Sequence, residues 1–151
     1  MRRGPARGFT LIELAVVATL VAILAVLSIP AYRNHVLRAH RTEARTALLA
    51  LATAEEMFYL QCNTYSTALD PAGLTTCAPA SLAFATASEH GSYTLEVPAA
   101  NTATWNASAT AVPGSPQFDD ARCRVFRLNG EGARSAGTAG GEANDQECWT
   151  R

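Results

Sequence analysis

The sequence predicts an α+β fold: one long amino-terminal helix laid on an antiparallel sheet of three to four strands. Three observations carry that prediction. From Phe9 to Ile29 the chain is uncharged apart from Glu13. Beyond Pro30, apolar residues recur at helical spacing as far as Cys62. From Tyr93 onward, apolar and polar residues alternate between turn signals.

Size and charge bound the rest. The 151 residues are 48% hydrophobic with a formal net charge of -1, enough for one domain and an anchor. Counted without Arg2, Arg3 and Arg7 in residues 1–8, the formal charge goes from -1 to -4. Neither form is a polycation built to coat nucleic acid. Lysine is absent.

The 21 residues from Phe9 to Ile29 make a helix about 30 Å long at ~1.5 Å rise, the thickness of a bilayer core. Its one charge, Glu13, costs on the order of 3 kcal/mol there and needs a partner, for which an amine is the natural choice. Phe9 and Glu13 stand four apart, on one helix face. The competing structural role for Glu13 is a carboxylate favoured by the helix dipole near an amino terminus.

Residues 1–8 are short and basic and lack an apolar core, unlike an ordinary secretory signal cut after its apolar run. The stretch Gly8-Phe9-Thr10-Leu11-Ile12-Glu13-Leu14 resembles the amino-terminal signature of type IV prepilins. The resemblance implies a leader over 1–8, cleavage by prepilin peptidase between Gly8 and Phe9, methylation of the Phe9 nitrogen, and attraction of the neighbouring subunit's amine by Glu13 during assembly. Pro30 followed by Ala31-Tyr32 extends the match, whereas Ala22 stands where many type IV pilins have glycine and should resist local melting of the helix. Pro30 lacks an N–H for the Val26 carbonyl and is expected to kink or loosen the helix, with Ser28 available to the freed groups.

The second half, residues 31–62, is amphipathic. Leu37, Ala44, Ala47, Leu48, Leu51, Ala54, Phe58 and Cys62 share one stripe, with Arg38, Arg45 and Glu56 off it and His40 at its edge as a packed or half-exposed residue. Residues 63–91 hold Pro71, Gly73 and Pro79 without a sustained period and read as a loop; Leu82 to Phe84 reads equally as a helical turn or a short strand.

Strand signals follow over about 92–136. Tyr93, Leu95 and Val97 alternate with Thr94 and Glu96; Trp105, Ala107, Ala109 and Ala111 alternate with polar neighbours; Phe126 and Leu128 precede a tight-turn signal at Asn129-Gly130 and a short strand near 133–135. Small alanines facing the stripe let helix and sheet lie close.

Four cysteines fit an oxidising compartment and allow three pairings. Positive-inside counting is ambiguous, since Arg33, Arg38, Arg41 and Arg45 follow the anchor, so the cysteines orient the chain with its amino terminus inside. The favoured pairing is Cys62 with Cys77, closing the loop, and Cys123 with Cys148; the latter resembles the disulfide-bounded D-region of pilins, over 123–148, within a globular head of 63–151. No zinc spacing occurs.

No catalytic motif is present: there is no GxSxG, no HExxH and no phosphate-cradling loop, and His35, His40 and His90 lack triad companions. The chain reads as a substrate of enzymes, without cofactor or metal; Asp119, Asp120, Glu142, Asp145 and Glu147 read as a solvated acidic surface rather than a calcium site. Arg122, Arg124 and Arg127 are candidate DNA contacts, but a head with more acids than arginines puts nucleic acid outside the expected partners.

The resemblance thus implies a type IVa pilin, most similar to a minor pilin of the PilE kind, that helps prime or modulate pilus assembly. Its implied partners are prepilin peptidase, other major and minor pilins, the inner-membrane pilus assembly platform, and membrane lipid before assembly. It would sit in the inner membrane of a Gram-negative cell with its head in the periplasm, then in the extracellular pilus. Adhesion, twitching motility and DNA uptake stay open as outcomes. The alternatives are a type II secretion pseudopilin, against which the cysteines weigh, and a tip-located adhesive or DNA-binding pilin.

Overall fold

The computed structural model describes residues 8–150 and, at Pro30 and Ala31, the backbone alone. The expected leader, up to Arg7, and the Pro30 ring therefore lie outside the described residues, while the backbone is helical through Pro30, where a kink or loosening is expected. Two compact units are present, Met1–Val36 and Leu37–Arg151, and the helix α1, Leu11–Cys62, has residues in both.

In the first unit the helix begins at a threonine cap. Thr10 Oγ1 accepts the Glu13 N–H at 3.2 Å, and the Thr10 carbonyl accepts the Leu14 N–H at 3.2 Å. Thr10 and Glu13 stand at the spacing of a capping box, in which the first hydroxyl satisfies an amide that no helical carbonyl can reach. The side chains that follow, Leu11, Val16, Leu20, Ile23 and Leu27 among them, are exposed all round. Among the described residues nothing covers these side chains, and the helix is long and apolar enough to cross a membrane.

In the second unit, α1 turns one face inward. Ala44, Leu48, Leu51 and Phe58 are buried and join the sheet in one core; Leu37, Ala47, Ala54 and Cys62 are half-buried at its margin. Full burial of a leucine or phenylalanine stabilises by roughly 1.5–3 kcal/mol. Arg41 and Glu55 lie on the same buried line, seven residues either side of Leu48, so the stripe is less purely apolar than expected. Asn63 ends the helix with a left-handed φ of 53° and donates its N–H to the Tyr59 carbonyl at 2.8 Å. Asparagine tolerates that conformation better than most residues do.

The main sheet is a meander of β4 (Tyr93–Ala100), β5 (Trp105–Ala111), β6 (Val125–Asn129) and β7 (Arg134–Gly137), ordered β4-β5-β6-β7 and antiparallel throughout. Its inner face carries Tyr93, Leu95, Trp105, Ala107, Ala109, Phe126 and Ala136. The β6–β7 turn differs in detail from the tight turn expected at Asn129-Gly130. It is Gly132, φ 79°, that adopts the left-handed conformation, while Asn129 Oδ1 accepts the N–H groups of Glu131 and Ala133. The loop is therefore three residues long, a form in which the last position favours glycine.

The region 63–91, expected as a loop, contains a second, three-stranded sheet: β1 (Ala68–Leu69), β2 (Thr76–Cys77) and β3 (Ala80–Leu82), ordered β1-β3-β2. Strands of two or three residues leave no periodicity to read. Leu82, for which a helical turn and a strand were equally open, is a buried strand residue. A 3-10 turn, Pro116–Asp119, and a short helix α2, Asp145–Thr150, complete the head. Disulfides join Cys62 to Cys77, with Cα atoms 5.2 Å apart, and Cys123 to Cys148, 5.7 Å apart.

Candidate functional site

The amino-terminal constellation is local. Gly8 and Phe9 precede the first turn of α1 and are exposed, and a side chain at Gly8 would meet nothing within 4 Å. Glycine is therefore not demanded there by the fold. Glu13 sits in the first helical turn, where its own amide is held by Thr10. The Phe9 nitrogen is a peptide nitrogen in this chain and carries no charge to offer Glu13.

The head is held by three buried polar clusters, none of which the residue pattern announced. In the first, Arg41 donates to both oxygens of Asp120, Nε to Oδ2 at 2.7 Å and Nη2 to Oδ1 at 3.1 Å. Gln117 Nε2 donates to Asp120 Oδ2 at 3.0 Å, and the Cys123 N–H donates to Oδ1 at 3.3 Å. Four donors thus converge on one buried carboxylate and tie the helix to the segment that enters the Cys123–Cys148 bridge. Tyr93 faces the same cluster; burial, then the Asp120 charge, push its hydroxyl well above the ordinary tyrosine range.

The second cluster joins α1 to the segment before β4. Glu43 Oε1 accepts the His90 N–H at 2.8 Å, and Oε2 lies 3.3 Å from His40 Nδ1. Burial works against its ionisation, but hydrogen bonds from Ser88, the His90 amide, His40 and Ser92 outweigh it and hold the carboxyl at about 2. In the third, Glu55 Oε2 accepts the Ser66 N–H at 3.0 Å, and the Ser66 hydroxyl, with one proton to donate, lies between the carbonyls of Ala68 and Ala80 at 3.0 and 3.2 Å. Burial pushes Glu55 up despite that amide, with the Glu56 charge adding to the rise.

The carboxy-terminal region is anchored by Trp149. Its indole donates to the Ser135 carbonyl at 2.9 Å, its ring meets Phe126 edge-on at 5.8 Å, and its carbonyl accepts from Arg45 Nη1 at 2.8 Å. Three of the five acids considered for calcium have partners within the head: Asp120 is held by Arg41, Glu147 by Arg122 at 2.9 Å and more distantly by Arg41 at 3.8 Å, and Asp145 by the Ala136 N–H. The candidate arginines also separate. Arg122 faces Glu147 and Arg124 lies over the Phe118 ring, whereas Arg127 is exposed on β6.

Residues 3–29 match the family model of the prokaryotic N-terminal methylation motif. Similar proteins include the type IV major pilin protein PilA of Myxococcus xanthus, 43% identical over 60 residues, 40% of this chain and 27% of that protein. Prepilin peptidase-dependent protein D of Escherichia coli is 41% identical over 71 residues, 47% of this chain and 42% of that protein. A fimbrial protein of Pseudomonas aeruginosa is 42% identical over 55 residues, 36% of each chain. The matches thus span less than half the length of these relatives.

Residues 30–127 match the family model described as type IV minor pilin ComP, DNA uptake sequence receptor. That description removes the support for leaving nucleic acid outside the partners, an expectation that rested on charge averaged over the whole head rather than on any local surface. The match covers well over half of the chain and runs from Pro30 through the stripe of α1 and all three polar clusters to Arg127, so the chain belongs to the ComP family of type IV minor pilins.

Proposed function

We propose that this chain is a structural minor subunit of a type IV pilus, stored in the membrane as a precursor, cut between Gly8 and Phe9, methylated on Phe9, and extracted into the fibre. The observation that carries this reading is a methylation motif over 3–29 joined to a minor-pilin head match over 30–127. The exposed apolar side chains of Leu11 to Ile29 then exchange lipid for the same segments of neighbouring subunits. Glu13, costly in either environment, draws the Phe9 amine of an adjacent subunit once the leader is gone. The head sits in an oxidising periplasm, where both disulfides persist. Other pilins, prepilin peptidase and the membrane assembly platform are the partners.

Non-reducing peptide mass spectrometry of sheared surface filaments and of membranes tests this. The expected species in filaments begins at methylated Phe9 and carries both bridges. Mature chain found only in membranes favours a secretion pseudopilin, and a chain retaining Met1 in both fractions overturns the reading.

A second role, DNA reception, is favoured by one specific finding, the description of the matching family as a DNA uptake sequence receptor. Binding of duplex DNA by the full chain in detergent micelles, weakening with added salt, is the expected result. Failure to bind removes this role and leaves the structural one.

A further inference from the structure

The arginines around the sheet differ in what already occupies them. Arg122 is held by Glu147 at 2.9 Å. Arg124 donates to the Phe118 carbonyl at 2.8 Å and lies 4.3 Å from that ring's centre. Arg134 lies over the Trp149 ring at 5.3 Å. The Arg127 side chain has no hydrogen bond, ion pair or ring contact among the described residues.

Its surroundings are those of an anion seat. In the β5-β6-β7 register Arg127 pairs with Ser108 on one side and Ser135 on the other, and directly opposed residues share a sheet face. That face is the solvent side, because the next residues in register, Ala109, Phe126 and Ala136, are buried in the core. The three side chains, with Pro98 and Asn106, line a shallow cup of about 240 Å³. A guanidinium offers donors only, in a rigid fork, and each serine hydroxyl can add one more. Glu96 pairs with Ser108, two strands from Arg127, a distance of roughly 9.5 Å at sheet spacing and about one Debye length in physiological salt. It leaves the cup open to a single anion.

We propose that this cup is a phosphate seat for nucleic acid: the Arg127 fork takes two oxygens of one DNA backbone phosphate, and Ser108 and Ser135 donate at its flanks. The assignment rests on the DNA-receptor role and gives that role a residue. A contact of this kind positions the duplex and reads no sequence.

The test is fluorescence anisotropy of the full chain in detergent micelles with a labelled random-sequence duplex, across a salt series. Removing one phosphate contact lowers the slope of log K against log salt by about 0.9. Arg127→Gln is expected to show that loss, Arg127→Lys to keep the slope with weaker binding, and Ser108→Ala with Ser135→Ala to weaken binding at an unchanged slope. Arg127 is exposed, so near-ultraviolet circular dichroism should show an intact head in each variant. If the wild type binds and Arg127→Gln matches it in affinity and slope, the seat is wrong and DNA reception stands. If the wild type binds no duplex, both fall.

Discussion

Arg41 Nε donates to Asp120 Oδ2 at 2.7 Å across 79 residues of chain, and both side chains are almost wholly buried. Burying two charges gains little over an apolar pair of the same volume, but leaving one behind is costly. Arg41→Ala or Asp120→Ala is therefore expected to destabilise the head by about 3–5 kcal/mol, and Arg41→Met with Asp120→Leu by much less. Urea unfolding with the bridges intact measures this. A double-variant loss equal to the sum of the two single losses would show that the pair does not act as a unit.

Glu43 and Glu55 pull acid stability in opposite directions. Glu43 has its carboxyl lowered from 4.5 to about 2, so its contribution is complete above the ordinary value and is lost as pH falls through 2. Glu43→Gln should flatten the acid limb of a stability–pH curve. Glu55 is raised, so folding is favoured while it stays protonated and stability declines as pH rises through its elevated value. Glu55→Gln, which mimics the neutral acid, should remove that decline. Persistence of the decline in the variant would assign it elsewhere.

The two bridges close loops of 15 and 25 residues, worth about 3 and 3.5 kcal/mol in the chain-entropy treatment. Replacing Cys123 and Cys148 by serine should lower the unfolding midpoint and loosen α2, read as faster amide exchange over 145–150. The Cys62 and Cys77 replacement should affect β1 to β3 instead. Exchange that rises evenly over the whole head in both variants would contradict this division.

A bulky residue at Gly8 meets no steric objection from the fold, so its effect should fall on processing alone. Gly8→Leu is expected to accumulate as full-length precursor in membranes, with an unchanged head by proteolysis. Glu13→Ala should be cut and methylated yet enter filaments poorly. Wild-type incorporation of Glu13→Ala, measured against other pilins in sheared fibres, would falsify the amine-pairing step.

A close approach at Gly137 supplies a further check. A Cβ there would stand 1.9 Å from the Glu142 carbonyl oxygen, a backbone atom that cannot swing aside. Gly137→Ala should displace the 138–144 segment and cost more than the roughly 1 kcal/mol of a typical substitution. Thermal unfolding indistinguishable from wild type would mean the segment relaxes freely.

Much of the fold was legible because it rests on short-range regularities. The apolar run, the stripe through Leu48 and Leu51, and the alternation in β4 and β5 each repeat over enough residues to declare their period. The strands β1 to β3 and the helix α2 are too short to do so and exist because bridges and neighbours hold them. The three arginines near Cys123 looked alike along the chain; register and packing separated Arg127 from Arg122 and Arg124.

The order of residues by itself determined the apolar half of the helix, its Glu13 and the methylation motif that includes Gly8-Phe9, because each depends on neighbours within a helical turn or on bulk apolarity. Only the tertiary structure decided that Arg41 meets Asp120, that Glu55 is buried against Ser66, and that Ser108 and Ser135 flank Arg127. Such pairings depend on which distant segments the core brings within 3 Å or sets in register, and no local period encodes that.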